Sequence, residues 1–131
     1  MNKVFLGGTC NNSTWRDELT KCIQVNYFNP VVKDWDENSQ AIEITQKDVF
    51  CNIHLYVITK EMTGVFSIAE VIDSVHTQNK QTILHVMPKG FDARQLKSLE
   101  AVCSMVIRNG GVAYIDDDLL RTARLINNAY K

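Results

Sequence analysis

Short apolar runs alternate along the chain with stretches whose apolar residues recur every three or four positions, the pattern of buried strands separated by helices. Lys3-Val4-Phe5-Leu6-Gly7 is a run closed by Gly7-Gly8-Thr9, which predicts a buried parallel strand entering a tight turn. Asn12, Ser13 and Thr14 offer caps for a first helix carrying Trp15, Leu19, Cys22 and Ile23 on one face. Tyr27-Phe28 is a brief second strand, broken by Asn29-Pro30 because proline lacks the ladder N–H. From Glu37 to about Cys51, the residues Ala41, Ile42, Thr45, Val49 and Phe50 recur at roughly helical spacing and predict a second helix.

Ile53 to Ile58 is the strongest strand, rich in β-branched and aromatic residues, and is expected at the centre of the sheet. A third helix runs from about Val65 or Phe66 to Thr77, and Thr82 to Val86 gives a fourth strand, ended by Pro88 and Gly90. Leu96, Leu99, Val102, Cys103 and Val106 line one face of a fourth helix that starts near Asp92 and stops at Asn109-Gly110-Gly111. Val112 to Ile115 is a fifth strand. Asp116-Asp117-Asp118 then puts negative charge at the positive end of a last helix through Tyr130, a cap reading preferred to a metal site.

Five strands joined through helices require right-handed crossovers, so the expected fold is a three-layer α/β/α domain with a mostly parallel, flavodoxin-like sheet of order 2-1-3-4-5. The 131 residues form one domain with a single core. In such sheets ligands bind beyond the carboxyl ends of the strands, where strand order reverses. That places Gly7 to Cys10, Pro30 to Trp35 and Thr59 to Glu70 around one crevice.

Composition narrows the function classes. A hydrophobic fraction of 45%, a charged fraction of 22% and a net charge of −1 are ordinary for a globular protein and give no basic stripe, so polymeric nucleic acid is not an expected partner. No apolar run is long enough to span a bilayer and the amino-terminal run is too short for a signal peptide, so the expected location is the cytoplasm. Cys10, Cys22, Cys51 and Cys103 are far apart and form no C-x-x-C pair, which predicts reduced, mostly buried thiols, with Cys10 the exception beside the glycine turn. His54 and His85 fall within strands and are expected as hydrogen-bonded core residues, and His76 at the surface. No metal or organic cofactor is expected.

Three segments could carry chemistry. Gly7-Gly8-Thr9 lets backbone approach a phosphate or ribose, although a plain tight turn fits it equally. Trp15 and Arg16 stand where a helix amino end and a guanidinium would together favour an anion; the alternative is a core tryptophan and a solvated arginine. Glu70 lies in the first turns of the third helix, among Ile68, Ala69, Val71 and Ile72. Apolar company there would position the carboxylate and tune its pKa; the alternative is an acid favourable at a helix amino end.

Val4-Phe5-Leu6-Gly7-Gly8-Thr9, Trp15-Arg16, Tyr27-Phe28-Asn29-Pro30-Val31-Val32 with Trp35, His54-Leu55-Tyr56-Val57-Ile58-Thr59 and Gly64-Val65-Phe66-Ser67-Ile68-Ala69-Glu70 together resemble the nucleoside 2-deoxyribosyltransferase-like family over about the first two-thirds of the chain. The resemblance implies an enzyme that transfers or hydrolyses the N-glycosyl group of a nucleoside or nucleoside 5′-monophosphate, with Glu70 as nucleophile in a covalent glycosyl-enzyme. It implies that Ser67 and Gly64 contact substrate and that Phe66 and Trp35 wall the sugar or base. Where the family commonly carries acids, this chain has Gly64 and Asn52. Asp48, slightly ahead of Asp34 and Asp36, is therefore a candidate to hold or protonate the base. A homo-oligomer is also implied. A second reading keeps the fold and the glycine loop but only binds or senses a nucleotide-like ligand.

Overall fold

The structure, a computed structural model, describes residues 1–10, 12–32 and 36–130. Its strands are β1 (Lys3–Gly8), β2 (Asn26–Phe28), β3 (Ile53–Ile58), β4 (Gln81–Val86) and β5 (Val112–Ile115). Its helices are α1 (Trp15–Thr20), α2 (Glu37–Thr45), α3 (Phe66–Val75), α4 (Ala93–Arg108) and α5 (Leu120–Tyr130), and α2 runs on into a π-helical turn over Gln46–Phe50. The sheet is wholly parallel with order β2-β1-β3-β4-β5, as the strand spacing predicts.

Side chains alternate across this sheet and build two core layers. On one face Val4, Leu6, Leu55, Val57 and Ile83 pack with Trp15 and Leu19 of α1 and with Ala123 and Ile126 of α5. On the other, Phe5, Tyr56, Ile58, Leu84 and Val86 pack with Val71 of α3 and with Leu99, Cys103 and Val106 of α4. All six residues of β3 are buried, so the central strand is encoded by a mostly apolar run whose polar member, His54, is satisfied within the core.

Both buried imidazoles serve the core. His85 joins Thr122 Oγ1 at 2.7 Å to the Asp116 carbonyl at 2.6 Å, tying β4 to α5. His54 does the same between Ser74 and the Lys47 carbonyl. Burial pushes both below the usual histidine pKa, so each is a neutral ring whose Nε2–H must be the donor to its carbonyl acceptor.

Several local expectations shift. α1 stops at Thr20, so Cys22 sits in the following turn and is exposed, as is Cys10; only Cys51 and Cys103 are buried. Thr14 holds the α1 cap position without a side-chain hydrogen bond. The aspartates after β5 are organisers of the turn: Asp116 accepts from the Asp118 N–H and pairs with Arg121 at 3.1 Å, and Asp118 accepts from the Leu120 N–H that opens α5. Among the described residues no cluster of His, Cys, Asp or Glu could hold a metal ion. No described helix is long and apolar enough to cross a membrane.

α2 forms where its spacing predicts a helix, capped by Asp36, whose carboxylate accepts from the Ser39 N–H at 2.8 Å. Its apolar residues do not enter the core, however. Ile42, Ile44, Val49 and Phe50 are all exposed, and neither α2 nor the π turn buries a residue. By contrast, α4 is anchored by Leu99, Cys103 and Val106 and opens with a full capping box between Asp92 and Gln95. Asp92→Ala removes one acceptor of that box and is expected to lower stability by about 1 kcal/mol in a urea titration.

Candidate functional site

The glycine turn is built by packing. Gly7 lies against the Tyr56 ring, where a Cβ would come within 2.6 Å of it. Gly8 has φ +107° and runs so close to β3 that a Cβ would collide with the Val57 backbone. Thr9 locks the turn: its N–H donates to the Val57 carbonyl at 2.9 Å and its Oγ1 accepts from the Thr59 N–H at 3.0 Å.

Trp15 and Arg16 brace the turn from behind. Trp15 is core, 2% exposed, and its indole N–H donates to the Thr9 carbonyl at 2.9 Å. Arg16 is 6% exposed, neither solvated nor open to an anion along these edges, because Nε donates to the Leu6 carbonyl (3.0 Å), one terminal nitrogen to Thr9 (2.7 Å) and the other to Gly8 (3.3 Å). A guanidinium can serve three diverging carbonyls at once because its donors form a fixed fork. Arg16→Met removes the guanidinium from the Leu6 and Gly8 carbonyls, while the Thr9 carbonyl keeps the Trp15 indole, and is expected to cost about 2 kcal/mol, readable as a lower urea midpoint.

Glu70 lies on α3 against the other core layer. Its side chain is 11% exposed, and Oε2 stands 3.2 Å from Lys47 Nζ on the π turn, itself 17% exposed. The Lys47 ammonium lies 5.9 Å from the centroid of the Phe5 ring. Burial pushes the Glu70 carboxyl above its usual range, Lys47 opposes that rise, Glu43 adds to it and Arg16 opposes it again. Tyr56, wholly buried on β3, is held strongly protonated by desolvation and by the nearby charge of Glu70. Its hydroxyl makes no hydrogen bond of good geometry, although Ser74 is close by. The arrangement supplies a largely desolvated carboxylate with one oxygen paired to Lys47, its charge acting on the Tyr56 ring that packs against Gly7.

The other residues singled out from the sequence are distributed unevenly. Ser67 is half-buried in the first turn of α3, Gly64 is exposed with open space around it, and Phe66 is 72% exposed at the helix mouth. Pro30 is half-buried beyond β2. Asp48 is exposed on the π turn, with its carbonyl held by Lys80 Nζ at 2.7 Å. Asp34 and Trp35 lie outside the described residues, and Asp36 is the α2 cap. The groups whose charges act on Glu70 include two that sequence reasoning missed, Lys47 and Glu43, four residues apart on adjoining turns. That spacing, which puts both on one helix face, is the one signal available for them in the sequence.

A separate cavity of about 520 Å³ opens on the opposite core layer, lined among others by Trp15, Thr59, Lys60, Met87 and Asp117. Glu70 is not among its lining residues.

Searches of curated proteins and of solved structures returned no match. A family model described as nucleoside 2-deoxyribosyltransferase like matches residues 1–89, a span that contains the glycine turn, the Lys47 turn and Glu70 and covers more than half of the chain. The chain therefore belongs to the nucleoside 2-deoxyribosyltransferase-like family.

Proposed function

We propose that this protein cleaves the N-glycosidic bond of a nucleoside or nucleoside 5′-monophosphate through a covalent glycosyl–Glu70 intermediate. The observation that carries this reading is the largely buried Glu70–Lys47 pair, whose carboxylate acts on the Tyr56 ring packed against Gly7, within the segment that matches the family. In the first step a Glu70 oxygen bonds to C1′ and the C1′–N bond breaks. Its electron pair leaves with the base nitrogen, and the base takes a proton from an acid of the site. In the second step a free base or water attacks C1′ and gives its proton to the conjugate base of that acid, while the ester C–O bond returns its pair to Glu70. Splitting the displacement in two lets the same carboxylate stabilise oxocarbenium character twice.

Asp48 remains a candidate for the proton donor, and Glu43 joins it because its charge acts on Glu70. Gly7, Gly8 and Thr9 would face the sugar, with Gly64 and Ser67 near its 5′ end. Phe66 and Pro30, together with Asp34 and Trp35, would border the base. A homo-oligomer fits the exposed apolar side of α2 and is tested by light scattering.

The test is incubation with a panel of nucleosides and 5′-monophosphates, with and without a second free base, followed by chromatography and by intact-mass detection of a glycosylated protein. Base release supports hydrolysis, and a new nucleoside that appears only with added base supports transfer. The second reading, a module that binds a nucleotide-like ligand without cleaving it, is favoured by the 520 Å³ cavity, whose size suits a mononucleotide. It predicts binding by calorimetry with the ligand recovered intact.

A further inference from the structure

Lys47 is held at both ends. Its ammonium meets Glu70 Oε2 at 3.2 Å, and its backbone carbonyl accepts from His54 Nε2 at 2.7 Å. His54 Nδ1 lies 2.8 Å from Ser74 Oγ, which lies 2.7 Å from Thr82 Oγ1. Since Nε2 carries the ring proton, Nδ1 accepts, so Ser74 donates to His54 and Thr82 donates to Ser74. Glu70 and Ser74 are one turn apart on α3, so the same helix face grips the amine and, through His54, the carbonyl. The π turn closes with the Cys51 N–H on the Gln46 carbonyl at 2.7 Å, and Lys80 Nζ takes the carbonyls of Asp48 and Cys51 at 2.7 and 2.9 Å. The turn is thus tied to β1, where Lys3 Nζ donates to the Gln46 side-chain oxygen at 2.7 Å, as well as to β3, to α3 and to Lys80 just ahead of β4.

We propose that Lys47 is a positioning residue for Glu70: clamped through His54 and Ser74, its ammonium favours the charged carboxylate and engages Oε2, leaving the second oxygen for C1′. The proposal rests on the glycosyl-transfer reading for its chemical meaning. Burial favours the protonated form of this carboxyl and the Lys47 charge opposes that, and a protonated acid does not attack C1′. Glu43 from α2 opposes the charged form and Arg16 from α1 favours it. On β3, Tyr56 stays protonated and His54 neutral, with Asp48 and Asp73 acting on Tyr56 and Lys80 on His54. Among the described residues, Lys47 is the cation in direct contact with Glu70.

The experiment follows the Glu70 side-chain carboxyl by carbon NMR in protein labelled at glutamate, assigned by the signal lost in Glu70→Gln. In Lys47→Met the Glu70 midpoint is expected to rise by about one pH unit or more, whereas Lys47→Arg, which keeps the charge, is expected to stay near wild type. Because attack needs the carboxylate, the acid limb of base release moves to higher pH by the same amount in Lys47→Met. If that variant does not fold, Lys47→Gln carries the same test. A folded, charge-free variant with an unchanged Glu70 midpoint overturns the proposal. The NMR midpoint needs no turnover, so silence across the nucleoside panel would overturn the glycosyl reading while still leaving the Lys47 shift measurable.

Discussion

Glu70→Gln is expected to lower base release by at least about a thousandfold, a loss of roughly 4 kcal/mol of transition-state stabilisation. The amide is nearly the same shape as the carboxylate and its oxygen can still accept from Lys47 at the position of Oε2, so the fold should survive. What disappears is the negative charge and the lone pair that bonds to C1′, and neither the glycine turn nor Lys47 can supply them. The effect belongs in kcat, with little change in KM, because substrate contacts from other parts of the crevice remain. Covalent labelling of the protein by substrate, followed by intact mass, should vanish in parallel. Full activity in this variant would exclude the glycosyl–Glu70 intermediate.

Gly8→Ala is expected to cost about 3 kcal/mol or more, lowering the melting temperature by roughly 10 °C. Two independent penalties combine there. The φ of +107° is strained for any side chain, and the added Cβ would stand 2.6 Å from the Val57 nitrogen on the central strand. Relief would require β1 to part from β3, and that opens the Thr9–Val57 and Thr59–Thr9 bonds as well. Gly64→Ala provides the contrast: nothing stands within 4 Å of its Cβ, so its urea midpoint should barely move.

The inner strands were legible because each buried run contrasts with its flanks, and β3 most of all, since Ile53 to Ile58 has no residue exposed to water; β2 and β5, at the edges, bury none of their residues. Glu70 was legible as a lone acid among Ile68, Ala69, Val71 and Ile72. Its partner was not. A lysine in a polar, helical stretch looks solvated, and only the π turn with its His54 anchor turns Lys47 toward α3. Arg16 was misjudged for a related reason, since the carbonyls it serves are brought together by the turn of the chain and leave no trace in local spacing. The apolar spacing of α2 correctly predicted a helix but not the fate of its stripe, because periodicity reports which residues share a face and not what that face meets.

That uncovered helix divides the molecule into parts of unequal firmness. The glycine turn, Glu70 and the clamped Lys47 turn are tied to the two core layers, whereas α2, which carries Glu43, has no buried residue of its own. A segment of that kind opens at a small fraction of the free energy needed to unfold the sheet. α2 would therefore be the first part to move, and anything seated on Ile42 or Ile44 would set how much of the time the Glu43 charge stands near Glu70.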